Sequence, residues 1–170
     1  MRLFLSLFLL LGAPVSAFAS ETAVVEPGER IKAKGDWIGE HRFEAHSLSR
    51  KDRADDDFEI AGALSEVDGE TGAFRIEGIW IVPDESELDR RTLRVARRFE
   101  PGDWIKAEGD FDAEGRLVAD SLERLQGADA IASVEGLVEA FEASPEDARR
   151  LRIGPISVTW SADALVEEGR

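Results

Sequence analysis

Cysteine is absent from the 170 residues of the chain. Neither disulfides nor thiol chemistry can hold it together, and a lipid-accepting cysteine after a processing site is excluded. Histidine occurs only as His41 and His46. Five positions apart on or beside one strand, the two side chains face opposite ways, which argues against a shared metal. Beyond the first 19 residues no hydrophobic stretch is long enough to span a bilayer. A hydrolase serine elbow, a phosphate loop, a dinucleotide glycine fingerprint and a zinc-protease helix are all missing. Carboxylates are plentiful, with 36 Asp and Glu against 21 Lys and Arg, a formal charge of -15. Their abundance removes the value of any one acidic pair as a sign of catalysis. An excess of acid repels phosphate backbones, so nucleic acid is not an expected partner. The expectation is a protein that is not an enzyme and needs no cofactor.

The start of the chain has an address. Arg2, the apolar run Leu3 to Leu11 and the small-residue site Ala17-Phe18-Ala19 read as a signal peptide over residues 1–19. Cleavage near Ala19 would leave a periplasmic or secreted bacterial protein with no integral membrane segment. Export without disulfides suits a bacterial envelope better than a small secreted eukaryotic domain.

The chain also repeats itself. Residues 26–50 and 100–124 align without a gap and agree at 14 of 25 positions. Ile60-Ala-Gly-Ala-Leu returns as Val134-Glu-Gly-Leu-Val at the same spacing of 74, and Phe74-Arg-Ile returns as Leu151-Arg-Ile at 77. The order along the chain is back half, front half, back half, front half. Residues 58–125 make one uninterrupted unit. Residues 26–50 and 132–166 are each too short to bury a core, so the expectation is that the two ends of the chain close on each other.

Strand patterning dominates. Ile31, Ala33 and Gly35 alternate with Arg30, Lys32 and Lys34; Ile105, Ala107 and Gly109 alternate with Trp104, Lys106 and Glu108. Phe43-x-Ala45-x-x-Leu48 and Leu117-x-Ala119-x-x-Leu122 both break alternation with a three-residue step, the mark of a β-bulge that lets a small barrel close. Gly78 and Pro155 stand where parity switches in the front halves, at a tight bend. The central unit is expected to hold strands over 58–67, 73–77, 79–82, 103–110 and 116–124. Between the third and fourth lies 84–99, with acids first and arginines after, as a helix dipole favours. Asp84 and Glu87 have capping-box spacing, and Leu88, Thr92, Val95 and Phe99 would line one face. Three strands, a helix and two strands is the order of an OB-fold barrel. The fold class expected is all-β with a small α contribution: two OB-like five-stranded barrels, the second assembled from the N-terminal and C-terminal halves.

Gly-x-x-Ile-x-Ala-x-Gly, followed by Gly-Arg-Leu-Val-Ala and Ser-Leu, resembles the exported bacterial family called domain of unknown function (DUF) 5666. Ile60-x-Gly through Phe74-x-Ile-x-Gly-x-x-Ile is similar to the opening strands of that family. The resemblance covers 58–125 in full and 26–50 and 132–160 in halves. It implies a small β-barrel, often repeated, in the cell envelope, and it carries no catalytic residues to transfer. The chain departs from a simple tandem by starting in mid-repeat.

Three groups of side chains are candidate sites. Residues 26–50 carry five acids and five bases, whereas 100–124 carry eight acids and three bases. Arg30, Lys32, Lys34, Arg42 and His46 are therefore a candidate cationic surface for an anionic polymer or protein partner. The competing reading is that this segment docks on the acidic remainder of its own chain. Trp80 and Trp104 fall on outward strand faces and could form a binding surface, or could pack the barrels together. Asp110, Asp112 and Glu114 alternate near a hairpin and are the candidates for a metal ion, against the plainer reading as an acidic turn. The function expected is a non-catalytic exported binding or scaffold protein of the bacterial cell envelope; the alternative is a periplasmic metal-ion or small-ligand binding protein.

Overall fold

A computed structural model describes residues 25–52, 57–143 and 149–167. The signal peptide expected over 1–19 lies outside the described residues. The chain forms β1 (Arg30–Gly39), β2 (Arg42–Arg50), β3 (Phe58–Ala63), β4 (Glu66–Val67), β5 (Phe74–Ile76), β6 (Ile79–Pro83), α1 (Arg90–Ala96), β7 (Trp104–Phe111), β8 (Leu117–Arg124), β9 (Ser133–Ala143), β10 (Arg149–Ile153) and β11 (Ile156–Glu167). Among the described residues the fold is all-β with one short α-helix.

One barrel uses both ends of the chain. β1 pairs with β2, β2 with β11 in parallel, β11 with β10, β10 with β9, and β9 returns to β1. Five strands thus close a ring. Inward positions Ile31, Ala33, Phe43, Leu48, Val134, Leu151, Ile153, Ile156 and Val158 are at most 1% exposed. Period-two patterning put these residues on one face, and closure gives that face a common interior.

The central unit runs β3-β7-β8-β6-β5-β4. β3 and β4 are separated by only two residues, so both ends of this run belong to one bent stretch of chain. Ile60, Phe74, Ile76, Ile79, Ile81, Ile105 and Leu117 fill its interior, all fully buried. Fully burying such a side chain is worth roughly 2 kcal/mol. Phe99, just after α1, closes one end with its ring edge-on to Phe74 at 5.5 Å between centroids.

The three-residue steps are bulges. Lys34 pairs with Ser47 but Gly35 with Ala45, so His46 is the extra residue. Glu108 pairs with Ser121 but Gly109 with Ala119, so Asp120 is the extra residue in the other copy. Opposite each bulge the glycine is required by close approach. A Cβ at Gly35 would lie 1.9 Å from the Glu44 carbonyl oxygen, and one at Gly109 would lie 2.0 Å from that of Val118. Gly109 also has φ of +156°. At Gly78 the parity switch is a two-residue hairpin, with Glu77 at φ +42° and Gly78 at +91°, as a type I′ turn requires.

The helix departs from expectation. It begins at Arg90, capped by Asp89, whose Oδ1 accepts from the Arg91 and Thr92 amides at 2.6 and 2.8 Å. Asp84 forms no capping box with Glu87. Its carboxylate instead accepts from the amide and hydroxyl of Ser86, which spends it on a separate turn. With the start at 90, Leu88, Ala96 and Phe99 face inward while Val95 is 42% exposed.

Gly109→Ala should lower stability by about 3 kcal/mol, because the clash is with backbone that cannot rotate away. Urea denaturation monitored by tryptophan fluorescence measures this; an unchanged midpoint would contradict the close-approach account.

Candidate functional site

The two barrels meet where β3 and β9 pair antiparallel: Glu59 with Glu135, Ile60 with Val134, Ala61 with Ser133. Residues 60 and 134 are repeat mates at the spacing of 74, as are 59 and 133, and 61 and 135. The register is therefore twofold about the Ile60–Val134 pair, as in an isologous dimer interface, but within one chain.

Charges line this joint. Arg30 Nε donates to Glu135 Oε1 at 2.9 Å, with the two side chains 1% and 4% exposed. Lys32 Nζ bridges Glu59 at 2.5 Å and Glu135 at 3.3 Å. Lys106, the repeat mate of Lys32, reaches Glu59 at 3.8 Å and Glu123 at 3.2 Å. Burying a lone charge is costly, and removing one partner strands the other. Burial alone would raise the Glu135 carboxyl, but the Arg30 hydrogen bond and the Lys32 charge outweigh it and hold the group below its ordinary value. Burial would likewise lower Lys32; the hydrogen bond and charge of Glu59, with those of Glu135, raise it instead.

Of the five residues in the candidate cationic surface, Arg30 and Lys32 are thus turned into the joint with their charges engaged. Lys34 is exposed at the rim of a cleft of about 210 Å³ over the joint, beside Lys32, Lys106, Asp129 and Ile131. Arg42 is exposed at the β1–β2 hairpin. His46, in its bulge, lies 3.3 Å from Asp36 with both side chains largely exposed. The five do not form one patch.

The tryptophans divide. Trp104 is half-buried on the strand face opposite Ile105 and Ala107, and its ring packs at the margin of the core. Trp37 joins the barrels: its Nε1 donates to the Ala61 carbonyl at 3.1 Å, and its ring fills the space that a side chain at Gly62 would need. Trp80 is half-buried, with the Arg75 guanidinium 5.7 Å from its ring centre. It lines a groove of about 420 Å³ with Asp68, Thr71, Ala73, Val82 and Arg116. A second hollow, about 480 Å³, shares Thr71 and Val82 and continues to Leu93, Ala96 and Arg97 on and beside α1. The loop 69–72 forms its other wall.

The three candidate metal ligands do not converge. Asp112 Oδ1 accepts from the amides of Glu114 and Arg116, and its Oδ2 takes the Arg116 guanidinium at 2.7 Å. The amide of Arg116 is the leading reason that its carboxyl is held below the ordinary value. Glu114 turns to Arg116. Asp110 belongs to an acidic face, where Asp120 is raised by burial and then by repulsion from Asp57, Glu108, Asp110 and Glu87. Among the described residues no group of three or more His, Asp or Glu is arranged to hold a metal ion.

No family model matches the chain, and neither the curated proteins nor the solved structures give a match. No helix among the described residues is long and apolar enough to cross a membrane.

Sequence reasoning missed Glu59, Glu135 and Lys106 as members of the joint. Two signals were available: Lys106 is the exact repeat mate of Lys32, and Glu59 and Glu135 interrupt the most apolar strands. Glu135→Gln should cost about 3 kcal/mol near neutral pH by removing the buried negative charge that faces Arg30 and Lys32. The depressed Glu135 carboxyl contributes stability above its ordinary value of 4.5, lost as pH falls through the lower folded value. The raised Lys32 contributes below 10.5 and is lost above it. Urea midpoints should therefore fall less between about pH 5 and pH 3 in the variant than in the parent; parallel curves would contradict this.

Proposed function

We propose that the protein is a non-catalytic binding or scaffold protein exported to the bacterial cell envelope, built as a rigid pair of OB-like barrels of the DUF 5666 kind. The reading draws on the leader-like first 19 residues and on the resemblance in the glycine and apolar positions. A single observation carries it: the Trp80 groove, a partly apolar hollow with an aromatic wall on a rigid sheet, the form that recognition sites take. OB-type barrels commonly bind along this strand face and its flanking loops. The volumes of the two hollows also suit a small ligand, which keeps the small-molecule form of the alternative in view. The joint supports the scaffold reading in a different way, since charges that could have served a partner are engaged between the barrels.

Trp80→Ala should fold, because the ring is only half-buried, and should lose whatever the parent protein retains from an envelope extract in affinity capture. Identical retention by parent and variant, or no retention by either, would contradict the assignment of this groove.

A further inference from the structure

We infer that the groove takes a linear acidic polysaccharide, with a sugar ring against Trp80 and its carboxylates on the arginines of α1. This rests on the reading of the groove as the binding surface and adds the chemistry of its occupant.

The duplication acts as an internal control. A residue needed to build the barrel is needed in both copies, and the bulge glycines Gly35 and Gly109 are such a pair. Trp80 is not: its mate at the spacing of 77 is Ser157. Nor is the arginine helix, because the chain after Ser157 continues as strand through Glu167. The closed barrel of the chain ends forms without either feature, so neither is demanded by the fold.

Five arginines, at 90, 91, 94, 97 and 98, fall in nine residues of a chain whose formal charge is -15. All five are exposed. Arg90, Arg94 and Arg97 share one helix stripe with Leu93, and Leu93 and Arg97 line the second hollow, which adjoins the Trp80 groove at Thr71 and Val82. Arg97 is paired with Glu85 at 3.4 Å, whereas Arg90 and Arg94 make no salt bridge among the described residues. A row of exposed guanidinium groups on the helix stripe that carries Leu93 and Arg97 suits carboxylates placed at intervals along a polymer.

The groove wall favours sugar over the other polyanions. Asp68 and Arg116 are held by their own turns, Asp68 by Thr71 and Glu70 and Arg116 by Asp112 and Glu114. They frame the Trp80 groove and leave Ala73, Trp80 and Val82 as its apolar surface, with Leu93 beyond Val82 in the adjoining hollow. A peptide adding as a strand needs a free sheet edge, and β6 is already paired with β5 and β8. Single-stranded nucleic acid stacks successive bases on several aromatics in a strongly positive channel; this groove has one aromatic wall in an acidic protein. A bilayer surface does not enter a groove. A carboxylated glycan needs fewer cations and presents flat ring faces to one tryptophan.

Isothermal titration calorimetry of the full chain tests this with four probes: oligogalacturonate, its uncharged methyl ester, poly-glutamate and single-stranded DNA. Oligogalacturonate should bind, more weakly as salt rises, and the ester and poly-glutamate should each bind about tenfold more weakly or not at all. Arg90→Glu with Arg94→Glu should lower the affinity for oligogalacturonate about tenfold and flatten its salt dependence, with unchanged melting. Should that variant fold poorly, Arg90→Gln with Arg94→Gln gives the same comparison. No binding of oligogalacturonate, equal binding of poly-glutamate, tighter binding of DNA, or an unaffected arginine variant would each overturn the proposal. If oligogalacturonate fails while Trp80→Ala still abolishes envelope capture, the groove stands and only the ligand class falls.

Discussion

Everything in this molecule is arranged around three residue pairs, the antiparallel contact of β3 with β9. That contact continues the hydrogen-bonded sheet from one barrel into the other. It also fixes which charges are buried. Strand alternation sends Glu59 and Glu135 toward the joint together, and two like charges opposite each other are destabilising unless cations intervene. Arg30 and Lys32 from β1, with Lys106 from β7, supply them. The joint therefore carries buried ion pairs beside its paired strands, with Trp37 covering Ala61 and Gly62.

The two sides of this joint are built differently: one barrel is contiguous in sequence and the other is split. A barrel whose strands are split between the two ends cannot be built in sequence order, and its first hairpin has no partner until β9 to β11 are made. The central barrel is contiguous and supplies β3, against which β9 can align. The N-terminal hairpin completes the ring through β9 on one side and β11 on the other. The pairings that close this barrel, β1 with β9 and β2 with β11, join opposite ends of the sequence and carry the larger loop-closure entropy.

Much of this was legible in the residues. Duplication and alternation located the strands, and the three-residue steps located the bulges, because both follow from local patterning. The helix was placed only roughly: Asp84 and Asp89 both offer an acid before the arginines, and which one caps depends on where Leu88 finds the core. The site was less legible. Arg30, Lys32 and Lys34 look alike in sequence, and only the strand that arrives 105 residues after Arg30 separates buried cations from an exposed one. Trp104 and Trp80 also look alike, and both are half-buried opposite an inward strand face; that Trp80 walls a groove follows from what packs beside it. The groove itself is made by the loop 69–72 and α1 meeting over a sheet face, a juxtaposition with no local signature.

The account stands or falls on the two ends of one chain sharing a barrel. The natural lack of cysteine makes a direct test possible. Glu44 on β2 and Thr159 on β11 are paired neighbours on parallel strands, within the range that a disulfide spans. Oxidising the Glu44→Cys, Thr159→Cys variant at low concentration, followed by non-reducing mass analysis, should give an intramolecular disulfide in a monomer. Persistently free thiols, or disulfides found only between chains, would show that the ends do not meet.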